Sequence, residues 1–286
     1  MFERVLIAYD GSTAAAAGLS LAAELARTCG SKVTVVHVVE RDGRSDQAAV
    51  DPPPAGLEAA RRWLGELCER NSTSGHPPLV PVTIENVDPA ATMLDLAEQK
   101  RADLVVVGRS GRHSLGRFLF GSAAERIIRY APCSVAVFPA ESAAATPPRV
   151  LAGYDGSEPS TEALRVAGSL AGALSAGLLV VHVVDSRIPF ARTPPESARE
   201  LIREHGVALL KEGCSKVSAP LESVESELRE GDARAELLEA VREYRPRMLV
   251  LGHRGSGGFA GLTLGGTASE AVRAAECPVL VVKSLA

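Results

Sequence analysis

The 286 residues carry 31 Lys and Arg against 35 Asp and Glu, a formal net charge of −4, with 46% apolar and 23% charged residues. That balance excludes disordered, collagen-like and coiled-coil chains and offers no whole-chain attraction to nucleic acid or an anionic membrane. Aromatic residues make up only 4%, so Ala, Leu and Val must fill the core, which suits helices packed closely on an aliphatic parallel sheet.

No apolar run approaches the roughly 18 residues of a membrane span, and the opening Met-Phe-Glu-Arg-Val does not read as a leader. A cytoplasmic location is the expectation. The five cysteines include no C-x-x-C pair, so reduced thiols are expected rather than a disulfide framework or a zinc site.

The chain repeats itself. Arg4 to Ser12 reads RVLIAYDGS and Arg149 to Ser157 reads RVLAGYDGS, seven of nine positions being identical at an offset of 145. VTVVHVV at Val33 to Val39 returns as LLVVHVV at Leu178 to Val184, and Cys133 returns as Cys277. A copy of this length is long enough to own a core, unlike a solenoid unit. We therefore expect two domains, 1–139 and 148–286, joined by a linker over 140–147 whose small residues and prolines suit an exposed connection.

In chain order, copy one predicts strands over Val5 to Tyr9, Val33 to Val39, Val80 to Val87, Leu104 to Val107 and Val135 to Phe138, all five taken as buried. Between them the spacing predicts a helix after Ser12 ending at Cys29 before Gly30, a good left-handed cap. Further helices are expected over Leu57 to Asn71, Pro89 to Gln99 and Ser122 to Tyr130. The twin of the first helix repeats its stripe at Ala163, Val166, Ala167 and Leu170, with Ser157 as candidate N-cap. The stretches Glu40 to Gly56 and Asp185 to Glu196 are long and proline-rich, and read as loops or flaps. Alternating apolar strands and helices imply an α/β fold: two tandem doubly wound domains, each a parallel sheet with helices on both faces.

In such a sheet the ligand crevice lies at the carboxyl ends of the strands where the winding reverses. Two signals fall there in each copy. Asp10, Gly11 and Ser12 follow the first strand, matched by Asp155, Gly156 and Ser157. After the fourth strand comes a segment with Gly108, Arg109, Gly111, Arg112, Gly121, Ser122 and Ala123, matched by Gly252, His253, Gly255, Gly265, Gly266 and Thr267. Glycines let the backbone turn tightly and bring N–H groups against an anion, and Gly121-Ser122 leads into a helix N-terminus that favours phosphate. The spacing is neither G-x-x-x-x-G-K-[ST] nor G-x-G-x-x-G, which removes support for P-loop and ordinary dinucleotide-binding readings.

The R-V-L-x-x-Y-D-G-S openings, the V-V-H-V-V second strands and the G-x-x-G-x9-G-[ST] segment followed by A-P-C-x-V resemble the universal stress protein family, in its tandem-domain, ATP-binding members. The resemblance implies five strands in order 3-2-1-4-5 and ATP, with or without Mg, as ligand. It implies that Asp10 and the backbone near Val38 address adenine while Gly108, Arg109, Gly111, Gly121 and Ser122 surround ribose and phosphates. Asp155, Val183, Gly252, His253, Gly255, Gly265 and Gly266 form the second set. From local sequence, Asp10 reads equally as an N-cap of the first helix.

Two departures stand out: copy one has Val87 where the family places a glycine before Asp88, and copy two has Gly266 in place of the hydroxyl residue. The family also implies an intrachain pseudo-dimer of the two domains, and a homodimer is open. His37 and His182, without neighbouring ligands, read as hydrogen-bonded core residues, so no metal is expected. No Ser-His-Asp or Cys-His spacing is legible, so no catalytic residue is named. A slow ATPase or nucleotide-transferring enzyme, with autophosphorylation at the Ser122 hydroxyl as a further reading, and a nucleotide-free dimerising scaffold are the alternatives to an ATP-binding stress or signalling protein.

Overall fold

The computed structural model describes residues 1–39, 51–109, 121–184, 196–217, 221, 223–255 and 264–283. The chain forms two compact units, one built on Met1–Ser142 and the other on Ala143–Val282. The predicted loop residues 40–50 and 185–195, and Gly111 and Arg112 of the candidate site, lie outside the described residues.

The first unit runs β1 (Arg4–Ala8), α1 (Thr13–Cys29), β2 (Lys32–Val39), α2 (Leu57–Asn71), β3 (Val80–Glu85), α3 (Pro89–Gln99), β4 (Leu104–Gly108), α4 (Ser122–Tyr130) and β5 (Ser134–Phe138). Its strands lie in the order β3-β2-β1-β4-β5, all pairs parallel. Residues Val5 to Ile7 of β1 pair with Leu104 to Val106 on one side, and Arg4 to Ala8 pair with Lys32 to Val36 on the other. The strand order therefore reverses between β1 and β4, as the family resemblance implied.

The second unit repeats the plan with β6 (Arg149–Gly153), α5 (Glu158–Ala173), β7 (Gly177–Val184), α6 (Glu196–Ser215), β8 (Val224–Glu230), α7 (Ala233–Tyr244), β9 (Met248–Gly252), α8 (Gly266–Ala274) and β10 (Val279–Val282). Its order is β8-β7-β6-β9-β10. In each unit the first helix lies across the first, second, fourth and fifth strands, the second helix lies along the second and third strands, and the third and fourth helices pack against one another. Right-handed crossovers put the two pairs on opposite faces.

Small residues let α1 approach the sheet. Ala14, Ala15, Ala22 and Ala26 are buried, and a Cβ on Gly18 would stand 2.8 Å from Val106 Cγ1. At that separation aliphatic side chains suffice to fill the layer, which accounts for the scarcity of aromatic residues. Helix α1 opens on Ser12, whose hydroxyl accepts from the Ala15 N–H, and closes on Gly30 at φ 69. Both follow from local chemistry.

One strand reading needs correction. β3 is not buried along its length: Val80 and Pro81 are exposed and its middle is half-covered, because β3 ends the strand order and only one flank of it is paired. It also stops at Glu85 rather than Val87. The Asn86 side chain accepts from the Val87 N–H at 2.7 Å and donates to Thr92 Oγ1 at 2.8 Å, so the chain turns there into α3. β8, with alternating charge, is exposed in the same way.

Among the described residues no helix is long and apolar enough to cross a membrane.

Candidate functional site

The ends of β1 and β4 bring the two sequence signals together. Beyond β1, the Tyr9 N–H donates to the Val36 carbonyl, and beyond β4, the Arg109 N–H donates to the Phe138 carbonyl at 2.7 Å. The glycine segment then returns on itself, the Gly121 N–H donating to the Arg109 carbonyl at 2.8 Å. Copy two repeats each bond: Tyr154 N–H to Val181, His253 N–H to Val282 and Gly265 N–H to His253, at 2.9, 2.9 and 2.8 Å. Arg109 and His253 are thus fixed by their backbones at equivalent places.

Each loop delivers the chain to a helix whose N-cap is glycine. Gly121 and Gly265 supply no side-chain oxygen to the first turns of α4 and α8. Amides that a Ser or Asp cap would otherwise satisfy are therefore available to an anion, helped by the helix dipole. Ser122 is the first helical residue of α4 and is exposed, with Ala123 beside it.

The glycines serve a purpose other than the one their spacing suggests. Gly121 has φ −68 and Gly265 φ −69, and neither Gly252 nor Gly255 lies in the left-handed region. What they provide is space. A Cβ on Gly252 would stand 2.7 Å from both the carbonyl carbon and oxygen of Pro159, and one on Gly255 would stand 2.6 Å from Asp155 Oδ2. Left-handed backbone belongs instead to Gly11 at φ 81 and Gly156 at φ 79. Gly11 is also covered: its Cβ would fall on the carbonyl of Asp51, whose own N–H donates to the Gly11 carbonyl at 3.3 Å.

The aspartates do not cap the helices. Ser12 and Ser157 do, each hydroxyl accepting a helix amide. Asp10 Oδ1 accepts the Ser12 N–H at 3.0 Å, while Asp155 Oδ1 accepts both the N–H and the hydroxyl of Ser157, at 3.1 and 2.6 Å. The carboxylates brace the turn from outside, because an aspartate two residues before the cap reaches the turn amide sooner than the first helical ones.

In copy two these parts enclose a cleft of about 100 Å³. Asp155, Val183, Gly252, Gly255, Gly265 and Thr267 of the expected set line it. Gly156, Ser157, His253 and Gly266 do not; a Cβ on Gly156 would face Leu209 of α6 instead. Sequence reasoning missed Arg254, Tyr154, and Ala233 and Leu237 of α7, which also line the cleft. Arg254 was visible in the second glycine segment. Leu237 reaches the cleft only through the packing of α7, which no local pattern announces.

The two departures matter less than the sequence implies. Asp88 caps α3, accepting the Ala91 N–H at 3.0 Å, as Asp232 caps α7, while Val87 is 73% exposed and touches neither role. The Ala91 amide, joined by Arg126 at 2.7 Å, holds the Asp88 carboxyl below its usual range. Among the described residues a Cβ at Gly266 would meet nothing within 4 Å. Gly266→Ser is therefore expected to change the unfolding free energy by no more than roughly 0.5 kcal/mol, as a neutral surface change does, checked by a urea titration followed by circular dichroism.

Beneath the copy-one crevice, Trp63 of α2 packs on Tyr9 and His37 at centroid distances of 5.5 and 5.2 Å. Burial, with Asp51 and Asp10 nearby, pushes the Tyr9 phenol up to about 12. His37 Nδ1 lies 2.8 Å from the Tyr9 carbonyl and His182 Nδ1 2.7 Å from that of Tyr154. A carbonyl only accepts, so Nδ1 is the protonated nitrogen in both. These are core histidines of the sheet, as expected.

Among the described residues no group of three His, Cys, Asp or Glu could hold a metal ion. Cys68 and Cys133 are buried, and burial pushes their thiols up to about 11 and about 12, the nearby Asp103 adding to the second. Since the thiolate is the reactive form, iodoacetamide at pH 8 is expected to label the exposed Cys29 in the folded chain and to reach Cys68, Cys133 and Cys277 only after unfolding, read by peptide mass spectrometry.

The model of the universal stress protein family matches residues 1–139 and again residues 147–283. A universal stress protein of Mycolicibacterium smegmatis is 28% identical over 301 residues, covering 98% of this chain and 96% of the relative. One from Mycobacterium tuberculosis is 28% identical over 293 residues with the same coverage. Among solved structures, a Pseudomonas aeruginosa protein of unknown function superposes with a TM-score of 0.73 at 16% identity, covering 99% of this chain and 93% of its own. A universal stress protein from Archaeoglobus fulgidus superposes at 0.63 and 19% identity, covering 98% of each chain. The repeated strand orders, the duplicated glycine loops and the double family match lead to one conclusion: this chain belongs to the universal stress protein family and carries two of its domains in tandem.

Proposed function

We propose that the chain is an ATP-binding universal stress protein that holds one nucleotide in the crevice of each copy and acts in stress response or signalling through nucleotide-dependent changes in conformation or protein partner. The observation that carries this reading is the glycine loop closed by its own backbone hydrogen bond onto a helix N-terminus with no side-chain cap, present in both copies. Backbone amides at a helix start favour polyphosphate over a neutral ligand. The carboxyl end of β2 or β7, at Val38 or Val183, supplies the apolar side of a base site, and Gly252, Gly255, Gly265, Thr267 and Arg254 form the polar side in copy two. In copy one we assign the corresponding roles to Gly108, Arg109, Gly121 and Ser122.

The triphosphate chain would approach the α4 and α8 amides, with Arg109 and Arg254 nearby as cations. Magnesium, if carried, would arrive with the nucleotide. Acid extraction of the purified chain followed by ion-exchange chromatography tests the reading: adenine nucleotide is expected in the extract. A nucleotide-free extract, together with no uptake of labelled ATP by the same protein, would contradict it.

A further inference from the structure

The turn from the third strand to the third helix differs between the copies by one residue. At the strand ends Val39 pairs with Glu85 and Val184 with Glu230, an offset of 145, while the caps that open α3 and α7 are Asp88 and Asp232, an offset of 144. Copy two spans the gap with Gly231 alone, at φ 147, its N–H donating to the Val184 carbonyl at 3.0 Å. In copy one Asn86 takes that place, its N–H donating to the Val39 carbonyl at 3.2 Å, and Val87 is the extra residue. The family's glycine is therefore matched by Asn86 and not by Val87.

The longer turn is firmly built. Asn86 Oδ1 accepts the Val87 N–H at 2.7 Å and its Nδ2 donates to Thr92 Oγ1 at 2.8 Å, Thr92 being buried in α3. Val87 is held between these bonds and the Asp88 cap, yet its side chain is 73% exposed, the most exposed of the large apolar residues described. The fold does not require it, since copy two turns on a single glycine. Its place is the base end of the crevice. The residue after the copy-two cap, Ala233, lines the cleft together with Val183; their counterparts in copy one are Pro89, two residues beyond Val87, and Val38, next to the Val39 that anchors the turn.

We infer that Val87 is a ligand-contacting residue of copy one, an apolar lip that closes over the base of a bound nucleotide, and that copy two has no equivalent. The inference rests on the nucleotide reading above. A valine standing in water is stabilised only when an apolar surface covers it, and a purine offers such a surface. The Asn86 bracket holds the side chain in place beforehand, so little freedom is lost on contact. The lip acts at the base end alone and leaves the polyphosphate end untouched.

The test titrates the full-length chain calorimetrically with ATP and with inorganic tripolyphosphate, as wild type, Val87→Ser and Val87→Leu. At so exposed a position both variants are expected to fold, which circular dichroism checks. Val87→Ser is expected to weaken one of the two ATP sites about fivefold, the scale of a partly covered valine side chain, and Val87→Leu to stay within about twofold of the wild type. Tripolyphosphate, which has no base, is expected to bind all three alike; if the wild type does not bind it, the ATP titrations decide by themselves. Trp63, the single tryptophan, packs on Tyr9 and His37 beneath this crevice, so a change in its fluorescence assigns the weakened site to copy one. Unchanged ATP binding in Val87→Ser overturns the inference and leaves Val87 as a solvent-facing turn residue. An equal loss of tripolyphosphate overturns it too, because the effect then lies at the phosphate end, as does weakening at a site whose filling leaves Trp63 unaltered. A wild type that binds no ATP is a separate result, and removes the nucleotide reading together with the inference.

Discussion

Gly252→Val is expected to destabilise the second domain by about 3 kcal/mol or more and to abolish nucleotide binding in its cleft, the scale of a severe overpacking change. Gly252 is the last residue of β9, and the first carbon of any side chain there would lie 2.7 Å from the Pro159 carbonyl group and 3.0 Å from the Pro159 Cβ. The obstacle is backbone in the first turn of α5, so no rotamer change relieves it. Either β9 or the start of α5 must move, and α5 carries Ser157, the cap that Asp155 braces. Even Gly252→Ala meets the same atoms. A urea titration followed by circular dichroism, paired with an ATP titration, reads both effects; a valine variant with wild-type stability and binding would show that β9 and α5 are not in the stated contact.

Asp103→Ala is expected to cost the first domain roughly 3 kcal/mol, because two backbone donors lose their acceptor where water cannot fully replace it. Asp103 is only 7% exposed. Its carboxylate accepts from the N–H groups of Glu3 at 2.9 Å and Arg4 at 3.0 Å, while its own N–H donates to the Arg4 carbonyl at 3.0 Å. The bonds fasten the start of β1 to the start of β4, the strand pair that defines the switch point. Trp63 is the single tryptophan of the chain and lies in this unit, so its fluorescence in a urea titration reports the change directly. Asp103→Asn, which keeps one acceptor, is expected to recover about half of the loss.

How far the sequence carried depends on the range of the interactions concerned. Helices α2, α3 and α4 begin and end where the pattern put them, and α1 ends at Cys29, because caps such as Ser12, Asp88 and Gly30 act over three or four residues. The strand order followed from the family resemblance, and the alternation of strands and helices supports it. β3 was read two residues too long because Asn86 ends it through a side-chain bond to Thr92, which apolarity does not reveal. The site was half legible. Asp155, Val183, Gly252, Gly255 and Gly265 announced themselves through the repeat, whereas Leu237 enters the cleft through packing of α7. The glycines themselves were read for turning when their role at Gly252 and Gly255 is clearance, since clearance depends on Pro159 and Asp155, about a hundred residues earlier in the chain.

The claim that each copy builds a nucleotide site meets its most direct test in isothermal titration of the full-length chain with ATP, after removal of any nucleotide carried through purification. Two saturable equivalents per chain are expected, one of which disappears in Gly252→Val. A single equivalent would contradict the equivalence of the two crevices, and the absence of any saturable heat, confirmed by equilibrium dialysis with labelled ATP, would contradict nucleotide binding itself.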